Sequence, residues 1–275
     1  MFFKRFNVCM EREMKRIFLL FWAFFILWQY PCNSQALLGE VTKQGYKQNR
    51  PQVLDKETGS PVQDAVVEIP TEGKVDFTDE NGNFKITPSS DKPVILSIKK
   101  DGYRPFSLTL QENALKGGVT FELEKKSPFE LILSDNLMHL GDNSYSPNSA
   151  GACLINSPCI GPEFKKEFAV GNITPKTKAY VKIGSVIGID TIQAMKLGQN
   201  KLTNAYSTPM EFFVNKTKIG ELKINGDNQK IPIPLKVLKA NSNNILVVKT
   251  GANKDAILTD YDDVELMNLF IDIRD

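Results

Sequence analysis

The chain has 275 residues and a nearly balanced charge, with 34 Lys and Arg residues against 32 Asp and Glu. Its single histidine, His139, argues against most metal-hydrolase and histidine-based nucleophilic mechanisms. It has no second His or Glu at metal-ligand spacing, so we expect an ordinary polar residue at a strand end. No Lys/Arg-rich stripe follows residue 36, which argues against nucleic-acid binding.

The N-terminus has the organisation of a secretory signal peptide. An apolar run, Ile17–Trp28, follows Lys15-Arg16 and precedes the small-residue sequence Ser34-Gln-Ala36. We therefore expect a signal peptide at residues 1–36 and a secreted, periplasmic or cell-surface protein. The run is too short for a transmembrane helix, which needs about 20 residues, so we expect none in the mature chain.

The start of translation, Met1 or Met14, stays open. Cys32 lies just after the apolar run, and acylation there would give a lipid anchor. The residues before it are not the small ones that lipoprotein signals use, so this anchor is the less favoured alternative. After cleavage Cys153 and Cys159 remain as an even pair, which predicts a disulfide in an oxidising compartment, with two free buried thiols as the alternative.

Residues 37–51 are mostly polar and are predicted to be a linker. From residue 52 to 126, short β-type runs separated by turn residues predict a small all-β sandwich. Asn81-Gly82 predicts a hairpin turn, because Asn-Gly readily supplies positive φ values. The predicted strands are Val66–Ile69, Phe84–Ile86, Val94–Ile98 and Thr120–Glu124.

Four segments of this region occur in a characteristic order: Leu54–Val62, Ala65–Ile69, Thr78–Phe84 and Lys99–Tyr103. Together they resemble the carboxypeptidase regulatory-like domain, a transthyretin-like β-sandwich common in exported bacterial proteins. Such domains accompany a zinc peptidase in some proteins but supply none of its catalytic residues. The resemblance therefore implies a fold and no catalytic site.

Residues 127–275 contain a second series of β-type runs with Asn, Gly, Pro and Asp connections, which predicts a jelly-roll sandwich. Pro232 and Pro234 cannot donate ladder hydrogen bonds, so their strand should be an edge strand or end there. Residues 184–206 are left unassigned, with a helical turn or a loop at Ala194–Gly198. The predicted strands are Glu130–Leu133, Phe164–Val170, Ala179–Ile183, Glu211–Val214, Lys218–Leu222, Lys230–Pro234, Ile245–Thr250 and Glu265–Ile273.

The segments Phe212–Leu222, Ile231–Leu235 and Asn243–Val248, together with Leu238, make this second region similar to galactose-binding-like β-sandwiches. Those domains occur as carbohydrate-binding modules and as accessory domains of glycosidases. The resemblance implies a sandwich architecture and points to carbohydrate as a ligand class, since fold alone does not give function.

Acidic residues lie near the start and the end of the second region. Asp142, Asn143, Asp262 and Asp263 flank strands that are often neighbours in a sandwich, and their oxygens are the ligands that calcium takes. Galactose-binding-like modules often carry a structural calcium near such strand ends, so the resemblance points the same way. The sequence therefore predicts a structural calcium here, with solvated turns as the alternative.

Sugars stack on exposed aromatic rings, and polar groups around them fix their orientation. Because the mature chain has no tryptophan, tyrosines must supply these rings; the alternative for each one is a place at the edge of the core. The candidate ligand-binding residues are Tyr145, Tyr180, Tyr206 and Tyr261, with Asn200, Asn204 and Asn215.

The sequence thus predicts an exported, non-catalytic binding protein whose C-terminal sandwich recognises a glycan. A structural or scaffolding protein that contacts only other proteins of the cell surface is the first alternative. An accessory subunit of a separate hydrolase is the second. No catalytic residue and no catalytic cofactor are predicted.

Overall fold

The computed structural model describes residues 50–275, apart from residues 91, 112, 144–156, 201–205 and 254–258. These described residues all belong to one compact unit. They form β-strands and one short α-helix, so the all-β prediction is confirmed. The predicted signal peptide and most of the predicted linker lie outside the described residues. Within the described part, no helix is long and apolar enough to cross a membrane.

Six strands form the N-terminal half. β2, β3, β4 and β5 make an antiparallel sheet in the order β3-β2-β4-β5, and β1 pairs with β6 in parallel. The strands are β1 (Gln52–Asp55), β2 (Val66–Ile69), β3 (Lys74–Phe77), β4 (Val94–Lys99), β5 (Phe106–Leu110) and β6 (Thr120–Leu123), with a 3₁₀ turn at Pro70–Glu72.

A hydrophobic core lies between these two sheets. In β6 the buried residues alternate with exposed ones, as the sequence predicts. Phe84 and Phe121 meet in this core with ring centroids 5.8 Å apart. The predicted strand at Phe84–Ile86 is wrong: these residues belong to no strand, and Phe84 instead inserts its ring into the core.

Asn81-Gly82 does lie in a turn, closed by the Gly82 N–H donating to the Asp79 carbonyl at 2.8 Å. Only Gly82 has a positive φ, of 74°. A Cβ at Gly82 would lie 2.4 Å from the Val53 carbonyl oxygen, so β1 packs closely against the turn. The turn leads from β3 into the Phe84 segment, which is not a strand, so it does not close the predicted hairpin.

The described residues of the C-terminal half contain all eight strands predicted for it and three short additional ones. Residues 184–206, unassigned from the sequence, contribute the end of a strand and a helix capped by the Thr191 side chain. The elements are β7 (Glu130–Ser134), β8 (Met138–Leu140), β9 (Glu163–Val170), β10 (Lys178–Ile187), α1 (Ile192–Lys196), β11 (Met210–Val214), β12 (Thr217–Leu222), β13 (Gly226–Ile233), a 3₁₀ turn (Leu235–Val237), β14 (Ser242–Lys249), β15 (Ala252–Asn253), β16 (Asp260–Tyr261) and β17 (Val264–Arg274).

Two antiparallel sheets face each other in this half. One runs β13-β10-β17-β7, with β8 also paired to β17, and the other runs β12-β11-β14-β9. Residues from both sheets share one hydrophobic core, which includes Val181, Phe212, Leu246 and Ile271. This is a β-sandwich. Pro232 lies in β13, at the edge of its sheet, as its missing donor predicts.

The central strands β10 and β17 are buried on both faces over most of their length. In each strand, the face that packs against the core changes near the middle. Ile183 and Val186 both lie in the core although they are three residues apart in β10, and Leu266 and Leu269 do the same in β17. Asn268, with φ 61°, lies at this irregularity. The other face of the pair is covered by the N-terminal half.

Small polar side chains make that contact between the halves. The Ser185 hydroxyl bonds the Ser107 hydroxyl of β5 at 3.0 Å, and the Thr109 N–H donates to Asp227 at 3.0 Å. A Cβ at Gly184 would lie 2.3 Å from the Ser107 oxygen and 2.8 Å from the Asn268 Cβ. Gly184 therefore allows β5 to approach the central strands.

We expect Gly184→Ala to lower the free energy of unfolding by about 1–3 kcal/mol, because overpacking here must push β5 away from β10. Gly171→Ala is the matched control, since a Cβ there meets nothing within 4 Å and its φ is not positive. The control should change stability by less than about 0.5 kcal/mol. Denaturant unfolding measures both, and equal effects for the two variants would contradict the close approach at Gly184.

Candidate functional site

Five aspartates meet at one end of the C-terminal sandwich. They come from the segment after β8, the loop between β10 and α1, strand β16, and the two residues before β17. The pairing of β17 with β8 and β10 brings these segments together. The aspartates are Asp142, Asp190, Asp260, Asp262 and Asp263, and we call them the aspartate cluster.

Asp262 and Asp190 form the deeper part of the cluster, with side chains almost completely buried. The Asp190 N–H donates to Asp262 Oδ2 at 3.0 Å, and the Asp262 backbone is held by Thr250 and Gly251. Burial, and then the neighbouring Asp190 charge, hold the pKa of Asp262 well above its usual range. Burial also raises the pKa of Asp190 to about 7, against a smaller lowering by Asn200.

Asp263 forms the part nearest to β8. Its Oδ1 accepts hydrogen bonds from His139 Nε2 at 2.8 Å and from the Asn143 N–H at 3.2 Å. A Cβ at Gly141 would lie 2.0 Å from this same oxygen, so only glycine leaves room for the carboxylate. The two sequence-predicted residues Asn143 and Asp263 are thus in direct contact.

Asp142 and Asp260 complete the cluster. Asp142 Oδ2 accepts a hydrogen bond from the Tyr261 N–H at 2.9 Å. Burial, followed by the charges of Asp142 and Asp263, raises the pKa of Asp260. The cluster therefore repels additional negative charge, and its members share one electrostatic environment.

Four carboxylate oxygens of the cluster are buried and have no hydrogen-bond partner: Asp190 Oδ2, Asp260 Oδ1, Asp262 Oδ1 and Asp263 Oδ2. Buried carboxylate oxygens without partners are expensive, and a cation would satisfy them. Among the described residues, however, no three carboxylates bring ligand atoms within 4.8 Å of one another. Asp262 turns to Asp190 while Asp263 turns to His139, so the carboxylates of Asp142, Asp262 and Asp263 adjoin without all three meeting within that distance.

The sequence interpretation of His139 is wrong. The residue lies in the middle of β8, has a fully buried side chain and contacts Asp263, which is 124 positions away. Its Nδ1 lies 2.8 Å from the Ser157 carbonyl oxygen, which can only accept. Asp263 Oδ1 lies at the other ring nitrogen, so both nitrogens of His139 face oxygen atoms that can accept a hydrogen bond. Burial acts to lower the pKa of His139, but the Asp263 and Ser157 bonds outweigh it and raise the pKa.

Glu265 lies opposite His139 in the β8–β17 pairing and accepts a hydrogen bond from the Ser157 hydroxyl at 2.8 Å. Burial raises its pKa, against smaller effects of Ser157 and His139. Of the described Lys, Arg and His side chains, only His139 is within ion-pair distance of Asp260, Asp262, Asp263 or Glu265. This end of the sandwich therefore buries more carboxyl groups than it pairs with basic side chains.

Cys159 is a free thiol in the structure and is partly exposed. Its predicted disulfide partner, Cys153, lies outside the described residues, so the disulfide stays a prediction. Cys159 forms a parallel bridge with His139. His139, Cys159 and Asp263 are the one set of three His, Cys, Asp or Glu residues in the described chain whose ligand atoms all lie within 4.8 Å of one another.

The predicted sugar-binding residues that the structure describes are divided between three places. Tyr206, Tyr261 and Asn200 lie at the end with the aspartate cluster, whereas Tyr180 pairs with Asp272 near the far end of β17. Asn215 lies in the β11–β12 turn, and its side chain is bonded to Asn244, Val237 and Ile245. Tyr145 and Asn204 lie outside the described residues.

A polar cavity of about 410 Å³ lies between β10, β13 and the N-terminal half. Tyr180 is on the same face of β10 as Lys182, which lines the cavity, because residues two apart in a strand share a face. Sequence reasoning missed this site, since its walls come from five segments far apart in the chain. The lining residues are Arg104, Glu124, Lys182, Ile183, Asn228, Gln229, Lys230 and Arg274.

Ion pairs hold two of the lining residues, Lys182 and Arg274, in place. Lys182 Nζ lies 2.6 Å from Glu130 and 2.5 Å from Asp272, and Arg274 Nε lies 2.6 Å from Asp272. Burial acts to raise the pKa of Asp272, but the bonds from Arg274 and Lys182 outweigh it and lower the pKa. The Arg104 guanidinium lies 5.0 Å from the Phe270 ring centroid. These charges are therefore held in place before any ligand arrives.

Comparison with known proteins does not extend this description: no protein-family model matches the chain, and no curated protein is significantly similar to it.

We expect Asp190 to make stability fall as pH rises. Its pKa is about 7 in the folded chain against an ordinary 3.8, so between about pH 4 and pH 7 the folded chain keeps a proton that the unfolded chain has lost. The free energy of unfolding should drop by at most about 1.4 kcal/mol per pH unit from this group across that window. Asp190→Asn should reduce the slope, measured by denaturant unfolding in chelator.

Asp101→Asn, at an exposed position, is the charge-matched control for this variant. It should leave the slope of the wild-type chain unchanged. Identical pH profiles for Asp190→Asn and the wild type would show that Asp190 is not protonated in the folded chain.

Proposed function

We propose that this chain is an exported, non-catalytic binding protein that recognises a glycan through its C-terminal sandwich. The observation that carries the proposal is the polar cavity, which is lined by Lys182 on the face of β10 that also carries Tyr180. Export rests on the N-terminal signal, and the cell surface or the envelope is the site of action. The proposal agrees with the resemblance of residues 52–126 to carboxypeptidase regulatory-like domains and of residues 127–275 to galactose-binding-like domains.

The chemistry of the cavity suits a sugar. Asn228 and Gln229 offer amide donors and acceptors, and Lys230 has no carboxylate partner among the described residues, so it can donate to a ligand. Tyr180 is only partly buried, and its ring can meet the apolar face of a sugar. Because ion pairs already fix Lys182 and Arg274, little side-chain entropy is lost on binding.

Binding rather than catalysis is proposed because the one histidine has no free lone pair. Both nitrogens of His139 face acceptors, so the ring cannot take a proton as a general base while these bonds persist. Of the aspartates with raised pKa values, Asp190 and Asp262 are buried within the sandwich. They are therefore poorly placed to flank a glycosidic bond as a catalytic pair.

A scaffolding role is the competing proposal, and one observation favours it. Val75 and Phe77 are 58% and 60% exposed on β3, the edge strand of the N-terminal sheet. Apolar side chains on an open strand edge suit contact with another protein. A Val75→Ser/Phe77→Ser double variant removes this apolar edge and leaves the cavity intact. Unchanged affinity for sugar in this variant would separate sugar binding from contact with another protein.

The first test is a glycan-array screen of the full exported chain, followed by titration with the sugar that binds. Tyr180→Ala and Lys230→Ala should each weaken binding about tenfold or more, since tenfold corresponds to about 1.4 kcal/mol of contact energy. Tyr261→Ala, at the other end of the sandwich, should leave the affinity unchanged. All variants are first checked for unchanged thermal unfolding.

Loss of binding in Tyr261→Ala alone would move the sugar to the end with the aspartate cluster, beside Tyr206. A well-folded chain that binds no sugar on the array would overturn the glycan proposal and favour the scaffolding role.

Calcium remains a proposal of its own. The unpartnered oxygens of Asp190, Asp260, Asp262 and Asp263 support a cation there, and backbone carbonyls or water must complete the six to eight ligands. If calcium binds, chelation should lower the melting temperature and excess calcium should raise it, by mass action on the folded state. Asp262→Asn should lose this response, and a melt unaffected by calcium or chelator would remove the proposal.

A further inference from the structure

We propose that His139, Cys159 and Asp263 form a binding site for a transition-metal dication, with zinc the best-fitting ion. Each residue offers one ligand atom, and the three atoms lie within 4.8 Å of one another. Ligand atoms on one tetrahedral zinc lie about 3 to 4 Å apart, because the bonds are about 2.0–2.3 Å long. Imidazole nitrogen, thiolate sulfur and carboxylate oxygen are the three ligand types that zinc uses in proteins.

The backbone holds the three residues in this arrangement. His139 lies in β8 and bridges to Cys159 in parallel, with the Ile160 N–H donating to the His139 carbonyl at 3.0 Å. Asp263 comes directly before β17, which pairs with β8. Gly141 leaves the space that the Asp263 carboxylate occupies. The ligand atoms therefore come from β8, from the bridge beside it and from the residue directly before β17.

The hydrogen bonds around His139 are those of a metal ligand. Its Nδ1–H donates to the Ser157 carbonyl at 2.8 Å, which is how ligating histidines are usually oriented by a backbone carbonyl behind them. That bond leaves Nε2 as the coordinating nitrogen, 2.8 Å from Asp263 Oδ1. On binding, the dication takes the place of the Nε2 proton and of the thiol proton, and both protons leave to solvent.

Two further observations point to a cation at this place. Asp263 Oδ2 is fully buried and has no hydrogen-bond partner, although Oδ1 has two. Neighbouring Glu265 is also buried, and no Lys or Arg of the described chain pairs with either carboxylate. A dication adds the positive charge that this end of the sandwich lacks.

Access and selectivity follow from the same residues. Cys159 is partly exposed while His139 and Asp263 are buried, so an ion can enter from the cysteine side. Calcium takes oxygen ligands only and would leave Nε2 and the thiolate unused, whereas softer ions favour them. The proposal goes beyond glycan binding, since none of the three residues lines the polar cavity.

The test is titration of the full exported chain with Co²⁺ and Zn²⁺ under reducing conditions, after removal of bound metal. We expect one equivalent of Co²⁺ to give a thiolate-to-cobalt charge-transfer band and Zn²⁺ to remove that band by displacement. Cys159→Ser should abolish the band and weaken zinc binding at least tenfold. Cys153→Ser is the matched control and should bind both ions as the wild type does.

Unfolding curves of the metal-free variants check that each chain folds. If Cys159→Ser does not fold, Asp263→Asn serves as the second ligand variant. Excess calcium should leave the cobalt band unchanged. Absence of stoichiometric cobalt or zinc binding, an unchanged band in Cys159→Ser, or displacement of cobalt by calcium would each overturn the site. None of these readouts depends on a sugar.

Discussion

Pairing of β10 with β17 is the constraint on which both candidate sites depend. The pair runs from Lys178 opposite Arg274 to Ile187 opposite Glu265 without a change of register. One end therefore carries the ion pairs under the polar cavity, and the other carries the aspartate cluster. Because both strands are buried on both faces, neither site can move without disturbing the core and the contact with β5.

The two ends of the β10–β17 pair differ in whether their buried charged groups have partners of opposite sign. At the cavity, Lys182 is placed between Glu130 and Asp272, so each buried charge has a partner of opposite sign. At the other end, burial raises the pKa values of Asp262 and Asp190, the Asp190 charge adds to the rise at Asp262, and no described basic side chain pairs with either. A paired network favours a fixed binding surface, whereas unpaired acids must hold protons or a cation.

Much of the fold could be predicted from the sequence, because strand alternation and turn residues are local signals. At Thr120–Glu124 polar and apolar residues alternate, and the sequence predicts that strand. β8 has only three residues, all buried, so it shows no such alternation. The sequence assigns Phe84 to a strand because an aromatic residue after a turn is equally typical of a strand and of a side chain that packs into the core from a loop. Its environment is set by β1 and β6, not by its neighbours in the chain.

The sites were only partly predictable, for the same reason. Asp142 and Asp263 could be brought together by assuming that the first and last strands adjoin, and in the structure β8 does pair with β17. Asp190 lies between the long strand β10 and the short helix α1. No sequence pattern predicts where these two elements end and begin, so the sequence does not place Asp190 in the aspartate cluster. The cavity lining likewise depends on β10 meeting Arg104 and Glu124 from the other half.

Cys159 shows how one residue can serve two incompatible predictions. A disulfide with Cys153 would consume the thiol, whereas metal binding needs it as a thiolate. In the structure, the Gly161 N–H donates to Cys159 Sγ at 3.2 Å, and the sulfur lies within 4.8 Å of a ring nitrogen of the buried His139. A disulfide with Cys153 and coordination of an ion therefore exclude each other at this one sulfur.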